Sequence, residues 1–134
     1  MKRIAILVII LCSFILISCN TKPNKINNAE EFEKLFEGAI KYDVRSDTDC
    51  ENGHIKGFVC MGENSDEELV KNISLVSYNK DQIIILIGDE ERVLTVFKAL
   101  GKKGFKNLYY FDGGFEAYAS QKGESYEPET GCGC

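Results

Sequence analysis

No tryptophan occurs among the 134 residues, only two prolines and one histidine are present, and nowhere do Lys and Arg gather into a run. A lone histidine excludes a metal centre built on histidines. With 16 Lys plus Arg against 21 Asp plus Glu and a formal charge of −5, the chain lacks the clustered cations that phosphate binding needs, which argues against nucleic acid as a partner. The length leaves no room for a multidomain enzyme and sets one domain as the expectation. Neither an internal repeat nor a low-complexity block appears, and no cofactor is indicated.

What is present is six cysteines, unevenly placed, and a distinctive amino terminus. Lys2 and Arg3 precede the fourteen uncharged residues from Ile4 to Ile17, a positive segment followed by an apolar one, as in an export signal. A membrane-spanning helix needs about 20 apolar residues, and the polar run Asn20, Thr21, Lys22 arrives too soon for one. Leu16, Ile17, Ser18 and Cys19 close the run and resemble the lipobox of bacterial lipoproteins. That resemblance implies cleavage after residue 18 and a diacylglycerol on Cys19, with two or three acyl chains enough for stable attachment to a membrane. The expected location is therefore the bacterial cell envelope, outside the cytoplasm. Residues 1–18 contain no acid, so their loss makes the mature chain more acidic still. Residues 19–27, polar and with Pro23, read as a flexible tether. Cys50, Cys60, Cys132 and Cys134 then remain as thiols where disulfides can persist.

Beyond the tether the pattern alternates between helix and strand. Asn28 to Glu31 has the shape of a capping box, and Phe32, Leu35 and Phe36 share a face before Gly38. Ala39 to Val44 reads as a strand, Arg45 to Gly53 as a loop, and Phe58 to Met61 as a short second strand. Ser65 with Glu68 opens a helix that runs through Leu69 and Ile73. Ile83 to Ile87, five aliphatic residues in a row, is the pattern of a central strand buried on both faces. Val93, Val96, Phe97 and Leu100 fall at helical spacing, Leu108 to Phe111 gives another strand, and a last helix spans Phe115 to about Gln121. This predicts an α/β domain with a mainly parallel sheet of four to five strands and helices on both faces, followed by a flexible Cys-x-Cys tail over residues 123–134. Ligands of such sheets bind at the carboxyl ends of the strands, which here means Gly88 to Arg92.

Four motifs in order resemble the rhodanese-like family, whose members carry sulfur on a loop cysteine. Asp43, Val44, Arg45, Ser46 is similar to its first-strand motif, and Gly53, His54, Ile55, Lys56, Gly57 to its Gly-His-Ile-x-Gly segment. Arg92 with Gly104 and Phe105 resembles the active-loop Arg and the Gly-Phe after the next helix, and Asp112 to Tyr118 resembles the closing Gly-Gly-x-x-x-Trp motif, with Tyr118 in place of Trp. The resemblance spans residues 28–122. It implies a six-residue loop after the central strand whose backbone N–H groups and helix end face a cysteine thiolate or persulfide. That cysteine is absent: the counterpart is Ile87, or Gly88 if the loop is one residue shorter, and Asp89, Glu90 and Glu91 supply negative charge where an anionic sulfur would need positive.

The residues also have plain structural readings. Asp43 and Arg45 can pair and pin a loop to a strand end, His54 between two glycines can bond the backbone of a tight turn, Gly113 and Gly114 can supply positive φ, and Asp89 to Glu91 can cap a helix. Cys50 and Cys60, ten positions apart, either bridge or do not; Cys132 and Cys134 can chelate a soft metal or exchange disulfides, but offer fewer ligands than a closed zinc site needs. Two functions are expected to compete. One is a membrane-anchored interaction module, inactive in its own loop, for an unknown protein or sulfur-carrying partner. The other is a sulfurtransferase or thiol–disulfide exchange enzyme that uses Cys132 and Cys134, or Cys50 and Cys60.

Overall fold

Ile83–Ile87 forms a strand because five aliphatic side chains in succession leave neither face polar, and it lies third of five in the sheet. The computed structural model describes residues 21–132. In chain order its elements are β1 (Asn24–Ile26), α1 (Ala29–Glu33), β2 (Ile40–Asp43), α2 (Asp47–Asn52), β3 (Val59–Cys60), α3 (Asp66–Val76), β4 (Ile83–Ile87), α4 (Glu90–Lys102), β5 (Asn107–Phe111) and α5 (Gly114–Lys122). The strands run β1-β5-β4-β2-β3, and every pairing is parallel.

Alternation along β4 divides the core in two. Ile84 and Leu86 join Leu69, Ile73, Val96, Phe97 and Leu100 beneath α3 and α4. Ile85 and Ile87 point the other way, into Phe32, Phe58, Phe111 and Tyr118 beneath α1 and α5. The capping box predicted for α3 is present, with Glu68 N–H donating to Ser65 Oγ and Ser65 N–H to the Glu68 carboxylate.

The expected boundaries change in three places. Asn24 to Ile26 belong to the sheet rather than to a tether: paired with Tyr109 to Phe111, they make β1. The expected loop from Arg45 to Gly53 contains α2, whose first turn is closed by Ser46 Oγ accepting from Asp49 N–H. The segment after residue 123 is not loose throughout. His54 and Glu129 exchange backbone hydrogen bonds of 2.9 and 3.0 Å, Gly131 N–H donates to Glu51 O at 2.9 Å, and the Tyr126 ring lies 5.8 Å from that of Tyr118. The proposed signal, Cys19 and Cys134 lie outside the described residues. Among the described residues no helix is long and apolar enough to cross a membrane.

Candidate functional site

Across the carboxyl end of the sheet, Cys60, Asp43 and Ile87 stand in one row of partnered positions. Above it opens a cleft of about 380 Å³ lined by Arg45, Gly88, Asp89, Glu90, Gly113, Gly114 and their neighbours. This is where a parallel sheet of this kind holds a ligand.

Ile87 does not face that cleft. It is 1% exposed and packs in the core beneath α1 and α5. Its carbonyl accepts from Val44 N–H at 2.8 Å. Gly88, the alternative counterpart of the family's cysteine, has φ 155°, and a Cβ built on it would stand 2.8 Å from Val44 Cγ2 and 3.3 Å from Arg45 N. No cysteine fits there unless Val44, the residue after β2, shifts. The expected six-residue loop is also missing. Asp89 caps α4, its carboxylate accepting from Arg92 N–H at 3.1 Å, so the helix begins at Glu90 and only Gly88 and Asp89 separate it from the strand. The capping reading of the acidic run thus holds for Asp89.

The charge of the cleft follows from its rim. Asp49, Asp89, Glu90 and Glu116 line it, with Arg45 as the cation among its lining residues. Glu90 accepts from Lys25 Nζ at 2.9 Å and from Tyr110 Oη at 3.1 Å, and Lys25 first and Tyr110 second hold its carboxyl below the usual range. Glu91 is exposed; its carbonyl accepts from Thr95 Oγ1. Arg92 turns away from the cleft. Its guanidinium bonds Asp66 at 3.0 Å and the carbonyls of Val44, Gly62 and Asn64, tying β2 to the loop before α3. A guanidinium spent on backbone carbonyls is a strut, not an anion receptor.

Asp43 and Arg45 pair as expected. Arg45 Nη2 donates to Asp43 Oδ2 at 2.7 Å and to Gly53 O at 2.7 Å, and its guanidinium sits 4.1 Å from the centre of the Phe115 ring. Gly113 and Gly114 take φ 81° and 72° at the start of α5, as the glycine reading predicts. A Cβ on Gly114 would lie 3.4 Å from Gly88 O, so the turn and the shortened loop pack directly together. Tyr118, in the place of the family's Trp, is 2% exposed and donates to Glu33 at 2.6 Å.

A second cluster lies beside the cleft, beneath the tail. Cys50 and Cys60 are joined in a disulfide with Cα atoms 5.8 Å apart. His54 is fully buried, with Nδ1 2.9 Å from Cys50 O and 4.0 Å from Cys60 Sγ. A carbonyl only accepts, so Nδ1 is the donor to Cys50 O, and Nε2 is buried and without a hydrogen-bond partner among the described residues. The ligand atoms of Cys50, His54 and Cys60 lie within 4.8 Å of one another. The structural reading of His54 therefore holds for one ring nitrogen and leaves the other unexplained. Cys132 is exposed at the end of the docked tail. Sequence reasoning missed this convergence; its one available signal was that Cys50 and Cys60 flank the Gly-His-Ile segment.

A family model described as a rhodanese-like domain matches residues 28–121. The chain belongs to the rhodanese-like domain family. No curated protein matches this member. Solved structures do. The chain is similar to a crystal structure of the Alr3790 protein from Anabaena sp., with 25% identity, a TM-score of 0.57, and 70% of this chain and 76% of that one covered. A solution structure of the rhodanese-like domain of the Anabaena protein is 21% identical, with a TM-score of 0.56 and coverage of 82% and 89%. Reduced CoADR-RHD from Bacillus anthracis is 24% identical, with a TM-score of 0.56, over 74% of this chain and 17% of that one. At these identities the last two are likenesses of fold. The fit to all three agrees with the parallel five-stranded sheet of this rhodanese-like domain.

Proposed function

We propose that this rhodanese-like domain performs no sulfur transfer in its own loop and serves as a binding module, held on the outer side of a bacterial membrane by a lipid on Cys19. The observation that carries the first half is the placement of Ile87: the position that would bear the persulfide is a core aliphatic, 1% exposed. Gly88 supports it, because contact with Val44 leaves no room for a side chain. The carboxylates of the rim support it again, since they would repel thiosulfate or a persulfide anion and raise the pKa of any thiol placed among them. What the site offers instead is an acidic cleft at the carboxyl edge of the sheet, a shape and charge suited to a protein partner rather than to a small anion. The anchor is supported by the Leu16 to Cys19 lipobox behind Lys2 and Arg3.

The test is release of thiocyanate from thiosulfate and cyanide by the full chain. No turnover above the uncatalysed rate is expected, and turnover that disappears with Cys132→Ser and Cys134→Ser would transfer the activity to the tail. For the anchor, Cys19→Ser should shift the protein from the membrane to the soluble fraction of cells; undiminished attachment would remove that half of the proposal.

A further inference from the structure

Cys50 on α2, His54 in the turn after it and Cys60 at the end of β3 are spaced four and six residues apart, and the fold closes this stretch on itself. Their ligand atoms lie within 4.8 Å of one another. A disulfide alone needs no histidine, yet His54 is held beside this one with no solvent exposure, its Nδ1 4.0 Å from Cys60 Sγ and its Nε2 without a hydrogen-bond partner among the described residues. A buried nitrogen left unsatisfied next to two sulfurs is a feature that a purely structural bridge does not explain.

We propose that, once the disulfide is reduced, Cys50, His54 and Cys60 form a binding site for a thiophilic divalent ion of the zinc class, with a fourth coordination position open. This is independent of the inactivity of the loop. Two thiolates and an imidazole suit zinc in softness, and three protein ligands with one free position are a recurring zinc arrangement. The distances fit as well. Zn–S bonds of about 2.3 Å and Zn–N bonds of about 2.0 Å at tetrahedral angles set sulfur about 3.5 Å from nitrogen and about 3.8 Å from sulfur. Nδ1, 4.0 Å from Cys60 Sγ, is therefore nearly in place, and the main change is that the two sulfurs part. Cys60 is the one free to move and the side from which an ion enters, because it is half-buried whereas Cys50 is fully buried. Nδ1 exchanges its bond to the Cys50 carbonyl for one to the ion, and the ring proton passes to Nε2, which has no partner to lose. Two thiolates cancel the charge of the ion, so the filled site is neutral, as its burial requires. Bridge and ion exclude each other. A thiol reductant supplies two electrons: two RSH become one RSSR, the Cys50–Cys60 bond breaks, and the two protons pass to the freed sulfurs. The ion then replaces both protons, which leave to solvent.

The test uses Zn2+ and Co2+ alone as probes. The full chain, reduced with a phosphine that competes little for metal, is titrated with Zn2+ against a chromogenic chelator and with Co2+ for the thiolate-to-metal absorption. The same titrations are run on the double variant Cys132→Ser, Cys134→Ser, which removes the tail thiols. One ion per chain is expected in the reduced double variant and none while its Cys50–Cys60 bond is intact; no binding after reduction, or binding to the intact bridge, would overturn the proposal. In the same background Cys60→Ser should remove at least half of the Co2+ absorption, and His54→Gln should weaken Zn2+ binding about a hundredfold. Unchanged binding in either variant would overturn the assignment of ligands. Because a change at buried His54 can unfold the domain, the urea midpoint of the reduced double variant supplies a measurement with all three ligands present. Zn2+ should raise it, since an ion that binds the folded chain stabilises it; equal midpoints with and without Zn2+ would again overturn the proposal. Thiocyanate release reads none of these results, so the two proposals fail separately.

Discussion

The Asp43 carboxylate, with no solvent exposure, is met by the guanidinium of Arg45 two residues on, Nη2 to Oδ2 at 2.7 Å and Nε at 3.1 Å from both oxygens. The pair is neutral as a unit, and Arg45 extends it to Gly53 O, so one ion pair fixes the end of β2 to the turn before His54. Taking away one partner strands a buried charge. Arg45→Ala is expected to destabilise the domain by about 3–5 kcal/mol, read as a shift in the urea midpoint at unchanged slope. Arg45→Lys should recover little of this, because an ammonium cannot reproduce the forked contact or the stacking on Phe115.

Gly88 carries a second prediction. With Val44 Cγ2 2.8 Å from where its Cβ would be, Gly88→Ala should cost about 1–3 kcal/mol by overpacking. Thermal denaturation of the variant checks it; an unchanged midpoint would show that the contact of Val44 with the loop is softer than described.

Ile87→Cys restores the family's nucleophile in sequence but not in place. The thiol would stand in the core among Phe58 and Phe111, and the cleft above it would still carry four carboxylates. The variant should stay below an ordinary family rate in thiocyanate release and react slowly with iodoacetamide when folded. Rapid alkylation of Cys at position 87 would show that the position reaches the cleft after all.

Reduction of the Cys50–Cys60 bond, which closes a loop of ten positions, should lower stability by about 2–3 kcal/mol in the chain-entropy model. Comparing urea midpoints with and without dithiothreitol measures it.

The pH dependence has two arms of opposite sign. Lys122 first and Tyr118 second hold the Glu33 carboxyl below its usual range, so this group stabilises the fold above about pH 4.3 and the contribution is lost as pH falls through the lowered folded value. With Glu33 34% exposed on its side chain, the acid arm is small, and Glu33→Gln should flatten it. Tyr118 is pushed upward by burial and then by its bond to Glu33, and Tyr42 and Tyr126 by burial. Their phenols stay protonated in the folded chain after they would ionise in the unfolded one, so stability is complete below about pH 10 and falls as pH rises beyond it. Tyr118→Phe should remove part of that alkaline slope and cost about 1 kcal/mol at neutral pH through the lost hydrogen bond.

How far the sequence reveals this molecule varies with what stabilises each part. Where side chains decide, the reading is direct: β4 announces itself by five aliphatics, α3 by Ser65 and Glu68, and the two glycines before α5 by the turn they make. Where backbone pairing decides, the reading fails. Asn24, Lys25 and Ile26 contain one apolar residue, and they become a strand because β5 offers them an open edge, with Asn24 Nδ2 also donating to Leu108 O at 3.2 Å. The tail is the same case, seated by the exchange between His54 and Glu129, which no pattern of side chains encodes. The candidate site divides likewise. The missing nucleophile is legible at Ile87, whereas the shortening of the loop by the Asp89 cap and the convergence of tail, His54 and disulfide are tertiary facts.

The direction of β1 has a further consequence. It runs parallel to β5, and Thr21, just ahead of it, lies against Gly101 near the end of α4, so the chain enters the domain at the amino edge of the sheet. The cleft and the disulfide lie at the other edge, one strand length of about 17 Å away. Lys80, Lys102, Lys103 and Lys106 belong to the entry edge, where Asp81 pairs with Lys106, and Asp49, Asp89, Glu90 and Glu116 to the far one, where Arg45 lies among them, so lysines gather at one end and carboxylates at the other. Were Cys19, two residues before Thr21, to carry the lipid proposed for it, the entry edge with its lysines would face the headgroups and the acidic cleft would face away from them.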